Sequence, residues 1–261
     1  MTVPGNADSK DRLDAVREYW NNHVHDWKVA RSPAGTPEFF EEIEAYRFEK
    51  LHYLPLRVDF NGYAGQRVLD VGCGVGNDLA RFAKGGADVV GIDLAEHSID
   101  LARANFEQRG LAGHFEVMNG ESMSFEDDAF DLVYCHTVLH FTANPSAMVE
   151  EIRRVLKPGG TAILMTVNRR SWLNVTQRLM KIEIDHLDAP IFDQYTYAQF
   201  QTLLKPFAKV KIICERFPVA TKVHKGWKAR LYNDLFVGTF NRLPHSWVER
   251  SGHHFLAFAE K

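Results

Sequence analysis

The sequence predicts an α/β fold: a doubly wound, mainly parallel seven-stranded sheet with an N-terminal helical cap and a helical insert before the last strand. Three observations predict it. Residues 68–76, Val-Leu-Asp-Val-Gly-Cys-Gly-Val-Gly, read as an apolar strand running through Asp70 into a loop with glycine at 72, 74 and 76. Residues 87–93 form a second short apolar run that ends in Asp93, at the spacing of a second strand in such a sheet. From 67 to 167, strand-like and helix-like segments alternate, as parallel strands joined by crossover helices require.

In chain order, residues 1 to 10 read as disordered, and 11–28 as a polar and aromatic helix with Tyr19, Trp20 and Trp27. The Pro33 to Pro37 stretch breaks it. Phe39, Ile43, Tyr46 and Leu51 lie near helical spacing in a second helix. Residues 1–60 form the cap and 61–261 the main domain. Strands fall near 67–72, 88–93, 114–118, 130–135 and 161–167, and helices near 76–85, 96–109 and 145–156. The last helix is well marked. Asn144 caps it, Pro145 suits its first turn, Met148, Ile152 and Val155 share a face, and Lys157-Pro158-Gly159-Gly160 stops it. A mixed connection, 168–195, leads to a helix near 196–205, a strand near 207–216 and a final strand near 253–260. The insert, 217–250, carries Leu231, Tyr232, Leu235, Phe236 and Phe240 as an apolar stripe that fits core packing, a lid or a dimer face.

The glycine loop narrows the ligand. Glycine has no Cβ, so the backbone turns sharply and lets a ligand come close; a tight strand-to-helix turn would use the same residues. The dinucleotide fingerprint G-x-G-x-x-G needs glycine at 77, where this chain has Asn77, and no phosphate loop of the G-x-x-x-x-G-K type is present. What remains, an acid followed by G-x-G-x-G, resembles the first motif of the class I S-adenosylmethionine (SAM) methyltransferases. Asp93 suits a vicinal diol, because one carboxylate accepts both hydroxyl hydrogens. After the third strand comes Asn119-Gly120-Glu121, then Phe125-Glu126-Asp127-Asp128-Ala129-Phe130-Asp131-Leu132-Val133, and later Arg154-Val155-Leu156-Lys157-Pro158-Gly159-Gly160. These ordered motifs, over about residues 60 to 168, resemble the ubiquinone/menaquinone-biosynthesis-type small-molecule methyltransferases.

The resemblance implies SAM as cofactor, a seven-stranded Rossmann-like fold, and methyl transfer to a small, aromatic or apolar metabolite by in-line displacement. It implies cofactor-binding roles for Asp70, Gly72, Cys73, Gly74 and Asn77 in the loop, and for Asp93 and Leu94 after the second strand. Asn119, Gly120 and Glu121 follow the third strand, and Cys135 and His136 end the fourth. Asn119 departs from the family's aspartate, yet an amide oxygen still accepts from an adenine amino group. The connection and the insert would shape the substrate side. Their aromatic residues Trp172, Phe192, Tyr195, Tyr197, Trp227, Tyr232 and Phe236 favour a planar acceptor.

For catalysis, the protein must align nucleophile, methyl carbon and sulfur. A base is needed only if the nucleophile must lose a proton. His140 and His136 are the candidate bases, since histidine titrates near neutrality; hydrogen bonding to the surrounding backbone is the alternative role. Tyr19 and Trp20 are candidates to close over the methyl group by cation–π attraction, or to pack the cap on the core. His23 and His25 lie two apart without metal-helix geometry, and no metal site is expected.

Composition excludes other classes. The net charge of −3 over 261 residues argues against a dedicated nucleic-acid binder. The basic clusters Arg153, Arg154 and Lys157, and Lys222, Lys225, Lys228 and Arg230, fit solvated helix faces. Cys73, Cys135 and Cys214 follow no disulfide or metal spacing, and neither a leader nor an apolar run of membrane length is visible. The expectation is a cytoplasmic monomer or homodimer acting on a small molecule, without nucleic acid or membrane. Methylation of RNA or protein, a nicotinamide oxidoreductase and a non-catalytic SAM-binding protein are the rival readings.

Overall fold

The computed structural model describes residues 6–180, 186–218, 234, 237–240, 242–244 and 248–261. The seven strands are β1 (Arg67–Val71), β2 (Asp88–Asp93), β3 (His114–Val117), β4 (Phe130–Cys135), β5 (Leu156–Val167), β6 (Lys209–Glu215) and β7 (His254–Glu260). They form one sheet in the order β3-β2-β1-β4-β5-β7-β6. β7 runs antiparallel to both β5 and β6, and the other pairs are parallel. The strand order therefore reverses between β1 and β4. A crevice opens at the carboxyl ends of the strands at such a reversal.

The central strands are apolar because both faces are covered. Val68, Leu69, Val71, Leu132, Val133, Cys135, Ala162 and Leu164 are all essentially inaccessible. Helices α4 (Asn77–Lys84), α5 (Glu96–Gln108), α6 (Pro145–Val155) and α8 (Tyr197–Leu203) cover the sheet. Their ends follow side-chain chemistry. Asn144 accepts from the Ala147 N–H ahead of Pro145, and Thr196 and Gln199 make a reciprocal capping box. β5 begins at Leu156, directly after α6, so Lys157-Pro158-Gly159-Gly160 lies inside the strand rather than before it. The strand absorbs the bend by a register shift opposite Phe130 and Leu132 and by a left-handed Gly159.

The N-terminal part departs from expectation. Helix α1 spans Asn6–Asn22, so residues 6–10 are helical instead of disordered, and the helix ends before residue 28. A short 3-10 turn, Trp27–Val29, and helix α2, Pro37–Lys50, follow. Thr36 caps α2 with Pro37 at its first position. Phe39, Phe40 and Ile43 of α2 pack with Val24 on Val75 and Leu101 of the core. Helix α3, Leu54–Arg57, joins the cluster of Val68, Leu79 and Phe82 through Leu54. Helix α7 spans Trp172–Met180. In the insert, Phe240 lies in a helical turn, Gly238–Phe240; Trp227, Leu231, Tyr232, Leu235, Phe236 and the basic group 222–230 lie outside the described residues.

Candidate functional site

The carboxyl ends of β1, β2 and β4 and the cap enclose a cavity of about 1170 Å³, its open mouth included. The sheet supplies one wall: Asp70, Gly72, Cys73, Gly74, Asn77 and Asp78 from β1 and its loop, and Asp93 and Leu94 after β2. Asn119, Gly120 and Glu121 continue it after β3, and His136, Thr137 and Val138 after β4. The cap supplies the other wall with Trp20, Val24, His25, Asp26, Ile43 and Arg47.

Glycine is required in the loop for two different reasons. Gly72 has φ of 73°, and a Cβ there would lie 2.3 Å from Val138 Cγ2. Gly74 has φ of 53°, and a Cβ there would meet nothing within 4 Å. Gly72 thus solves a packing problem, while Gly74 leaves room on the cavity side. Asp93 holds the loop: its carboxylate accepts from Gly74 N at 3.0 Å and from Ala95 N at 2.9 Å. Each oxygen keeps a lone pair, the arrangement a diol needs.

Asp70 is the unusual group. It is 3% exposed, lines the cavity, and its carboxylate makes no hydrogen bond or ion pair among the described residues. Burial, then the carboxylates of Asp78 and Asp93, raise its pKa, against a smaller opposing effect of Arg47. An unpartnered buried carboxylate is costly, and a cationic ligand in the cavity would offset that cost. Asp78 is the opposite case. Arg47 reaches it with Nε at 2.6 Å from one oxygen and an NH2 group on the other, and the Tyr134 hydroxyl donates at 2.7 Å. Burial disfavours the Asp78 charge, but Arg47 outweighs it and holds the carboxyl below its usual range.

Arg47 also fixes His136. An arginine only donates, so the Nδ1 of His136, 3.2 Å from the Arg47 NH2 group, is the unprotonated nitrogen. The proton of the neutral ring is then on Nε2, which donates to the Tyr53 hydroxyl at 3.1 Å. Burial and then Arg47 keep His136 neutral. Both of its nitrogens are committed to protein partners.

The remaining predicted residues fall into two groups. Asn119 accepts from Glu121 N at 3.0 Å, and Glu121 accepts from Thr142 Oγ1 at 2.7 Å and Asn144 N at 2.9 Å, so this turn is tied to the loop before α6. Gly120 is glycine because a Cβ would lie 2.7 Å from Val71 Cγ1. Asn77 lines the cavity but accepts from Asn105 at 3.2 Å, and its own Nδ2 is buried without a partner. Cys73 lines the cavity with its thiol pushed up by burial, a poor nucleophile.

Three predicted side chains are set away from the cavity. Cys135 points into the core beside Leu139 and Met148, because strand alternation turns it from the face that Tyr134 occupies. His140 is 2% exposed behind Phe141, with Phe192 on its other side; burial lowers its pKa to about 3, and its Nδ1 has no partner. Tyr19 turns to the 186–193 segment, donating to Asp188 at 3.0 Å with His186 Nδ1 also at 3.0 Å. Its neighbour Trp20 faces the cavity, edge-on to Phe141 at 4.9 Å.

Sequence reading missed Arg47, Asp78, Tyr134, His25 and Asp26. Asp78 lies one residue past the motif, a position with no rule attached. Arg47 sits among acids on α2 and resembles a solvated helix face. Among the described residues no group of three or more His, Cys, Asp or Glu could hold a metal, and no helix is long and apolar enough to cross a membrane.

The fold and the glycine loop are similar to those of SAM-dependent methyltransferases. Residues 69–164 match the family described as a methyltransferase domain. The chain is 33% identical over 159 residues to a protein named ubiquinone biosynthesis O-methyltransferase from Roseobacter denitrificans, and spans 63% of that protein's length. A protein of the same name from Azoarcus is 37% identical over 131 residues, 56% of its length. The fold is shared with geranyl diphosphate C-methyltransferase from Streptomyces coelicolor, with a TM-score of 0.61 at 18% identity over 95% of this chain and 98% of that one.

Proposed function

We propose that this chain transfers a methyl group from SAM to a hydroxyl of a small, planar or apolar metabolite. Asp70 carries the reading: a buried carboxylate without a partner among the described residues, at the mouth of a glycine loop, calls for a cationic ligand that also needs close backbone approach. SAM supplies an electrophilic methyl on a sulfonium and needs no metal. It fits the residues present. Asp70 would face the ammonium or sulfonium charge, Asp93 would receive the ribose hydroxyls, and the turn of Asn119, Gly120 and Glu121 would receive the adenine. Arg47 NH1, on the cavity wall, makes no hydrogen bond among the described residues and would donate to the methionine carboxylate.

The names of the relatives support oxygen as the acceptor atom. Their match covers about half of this chain. Trp20 and Phe141 form an apolar end for a flat acceptor. The test is calorimetry with SAM on the wild type and Asp93→Ala, followed by methyl-labelled SAM with a size-fractionated cell lysate. Micromolar binding lost in the variant, with label in small molecules, supports the reading. Label in RNA or protein would overturn the acceptor class, and absence of SAM binding would overturn the function.

A further inference from the structure

Of the histidines around the cavity, His25 has the surroundings of a base. Its ring lines the cavity, and the side chain is 30% accessible even though its neighbours are buried. Its nitrogens make no hydrogen bond among the described residues. His136 has both nitrogens committed, and His140 has no face on the cavity. The backbone delivers His25 there at some cost. The next residue, Asp26, is left-handed at φ of 64°, a strained state for a non-glycine residue. That turn buries the Asp26 carboxylate with an oxygen 3.9 Å from His25 Nε2, beyond hydrogen-bond length but within strong Coulomb reach.

We propose that His25 is the general base that deprotonates a hydroxyl acceptor, with Asp26 as the counter-charge that stabilises the imidazolium. The assignment rests on the methyl-transfer reading above. His25 accepts the hydroxyl proton while the acceptor oxygen bonds the methyl carbon. The electron pair of the broken carbon–sulfur bond stays on sulfur. The positive charge that began on the sulfonium ends on His25, which gives the proton to water after product leaves. The charged and titratable neighbours are Asp26, Lys50 and Arg47 of the cap, His186 stacked at 5.0 Å, and His136 across the cavity. Burial, Lys50, His186 and Arg47 hold the ring neutral, and only Asp26 acts against them. The ring is thus unprotonated before the acceptor binds; burial weakens it as a base and Asp26 opposes that effect, while charge on His25 and then Lys50, paired to the same Asp26, favour the ionised carboxylate.

The test compares wild type, His25→Gln and His25→Ala, using methyl-labelled SAM and a protein-free small-molecule cell extract as the acceptor source. SAM affinity is measured by calorimetry in parallel. We expect a rate loss of about a hundredfold or more in both variants, the scale of general-base catalysis. SAM affinity should stay within about twofold, since the base is not a cofactor ligand. His25→Ala should regain rate with added imidazole, and His25→Gln should gain about tenfold per pH unit above neutrality as hydroxide replaces the base. A Gln variant with wild-type rate and pH profile overturns the assignment, as does a rate loss matched by lost SAM affinity. Wild-type protein that fails to bind SAM would remove the methyl-transfer reading first. SAM binding without label transfer by wild type would overturn the base assignment and leave a binding protein.

Discussion

Arg47 and Asp78 form a two-point buried ion pair that joins cap helix α2 to the helix of the glycine loop. The cap is therefore fastened to the residues that would hold the cofactor, and a change in one is felt by the other. Breaking such a pair from one side leaves an uncompensated buried charge. Arg47→Met should cost about 3–5 kcal/mol in urea unfolding and weaken SAM binding. A loss under 1 kcal/mol would show the pair to be a surface-like contact.

Asp70→Asn should separate stability from binding. The native carboxylate is buried without a partner, so removing its charge should leave stability equal or raise it by about 1 kcal/mol, roughly 2–4 °C in the melting temperature of the ligand-free protein. SAM affinity should fall at least about tenfold, which is 1.4 kcal/mol of lost charge interaction. A less stable variant with intact affinity would refute the role given to Asp70.

Gly72→Ala and Gly74→Ala should fail differently. Both glycines have positive φ, a strain of about 1–2 kcal/mol for alanine. Gly72→Ala adds the collision with Val138 and should unfold more readily, as thermal melting would reveal. Gly74→Ala meets open space, so its larger effect should be on SAM affinity by calorimetry. Equal effects of the two on binding and melting would mean that neither glycine faces the ligand.

His140→Leu should lose little turnover. The side chain has no face on the cavity and carries an unpartnered buried nitrogen. A hundredfold loss of labelled methyl transfer, with stability unchanged, would restore it as a catalytic group.

Stability should fall as pH drops from 7 to 5.5. Burial lowers the pKa of His25, His136, His140, His253 and His254, so each stays neutral in the folded chain. The unfolded chain takes up protons below about pH 6.5, and the state that binds more protons gains as pH falls. Each histidine should contribute about 1 kcal/mol of lost stability over that interval. Urea midpoints at the two pH values measure it, and a flat profile would mean that these rings protonate in the fold.

The strand positions, the glycine loop and Asp93 were legible in the sequence because they depend on local rules. Alternating apolar strands and helices set the α/β class, and the acid at the end of β2 falls at a fixed distance from the loop. The limits of local reading show in particular residues. Cys135 and His136 are adjacent in sequence, yet one enters the core and the other the cavity. Tyr19 and Trp20 divide in the same way between the 186–193 segment and the cavity.

The sequence by itself determined the sheet and the backbone cradle, since glycine conformations and strand-end acids are properties of single segments. Only the tertiary structure decided which charges are paired. Arg47 lies 31 residues before Asp78 and closer in sequence to Asp70, yet it pairs with Asp78 and leaves Asp70 alone among the described residues. The physical reason is that desolvation and Coulomb pairing depend on three-dimensional neighbours, so the cap's approach to the sheet sets the electrostatics of the site.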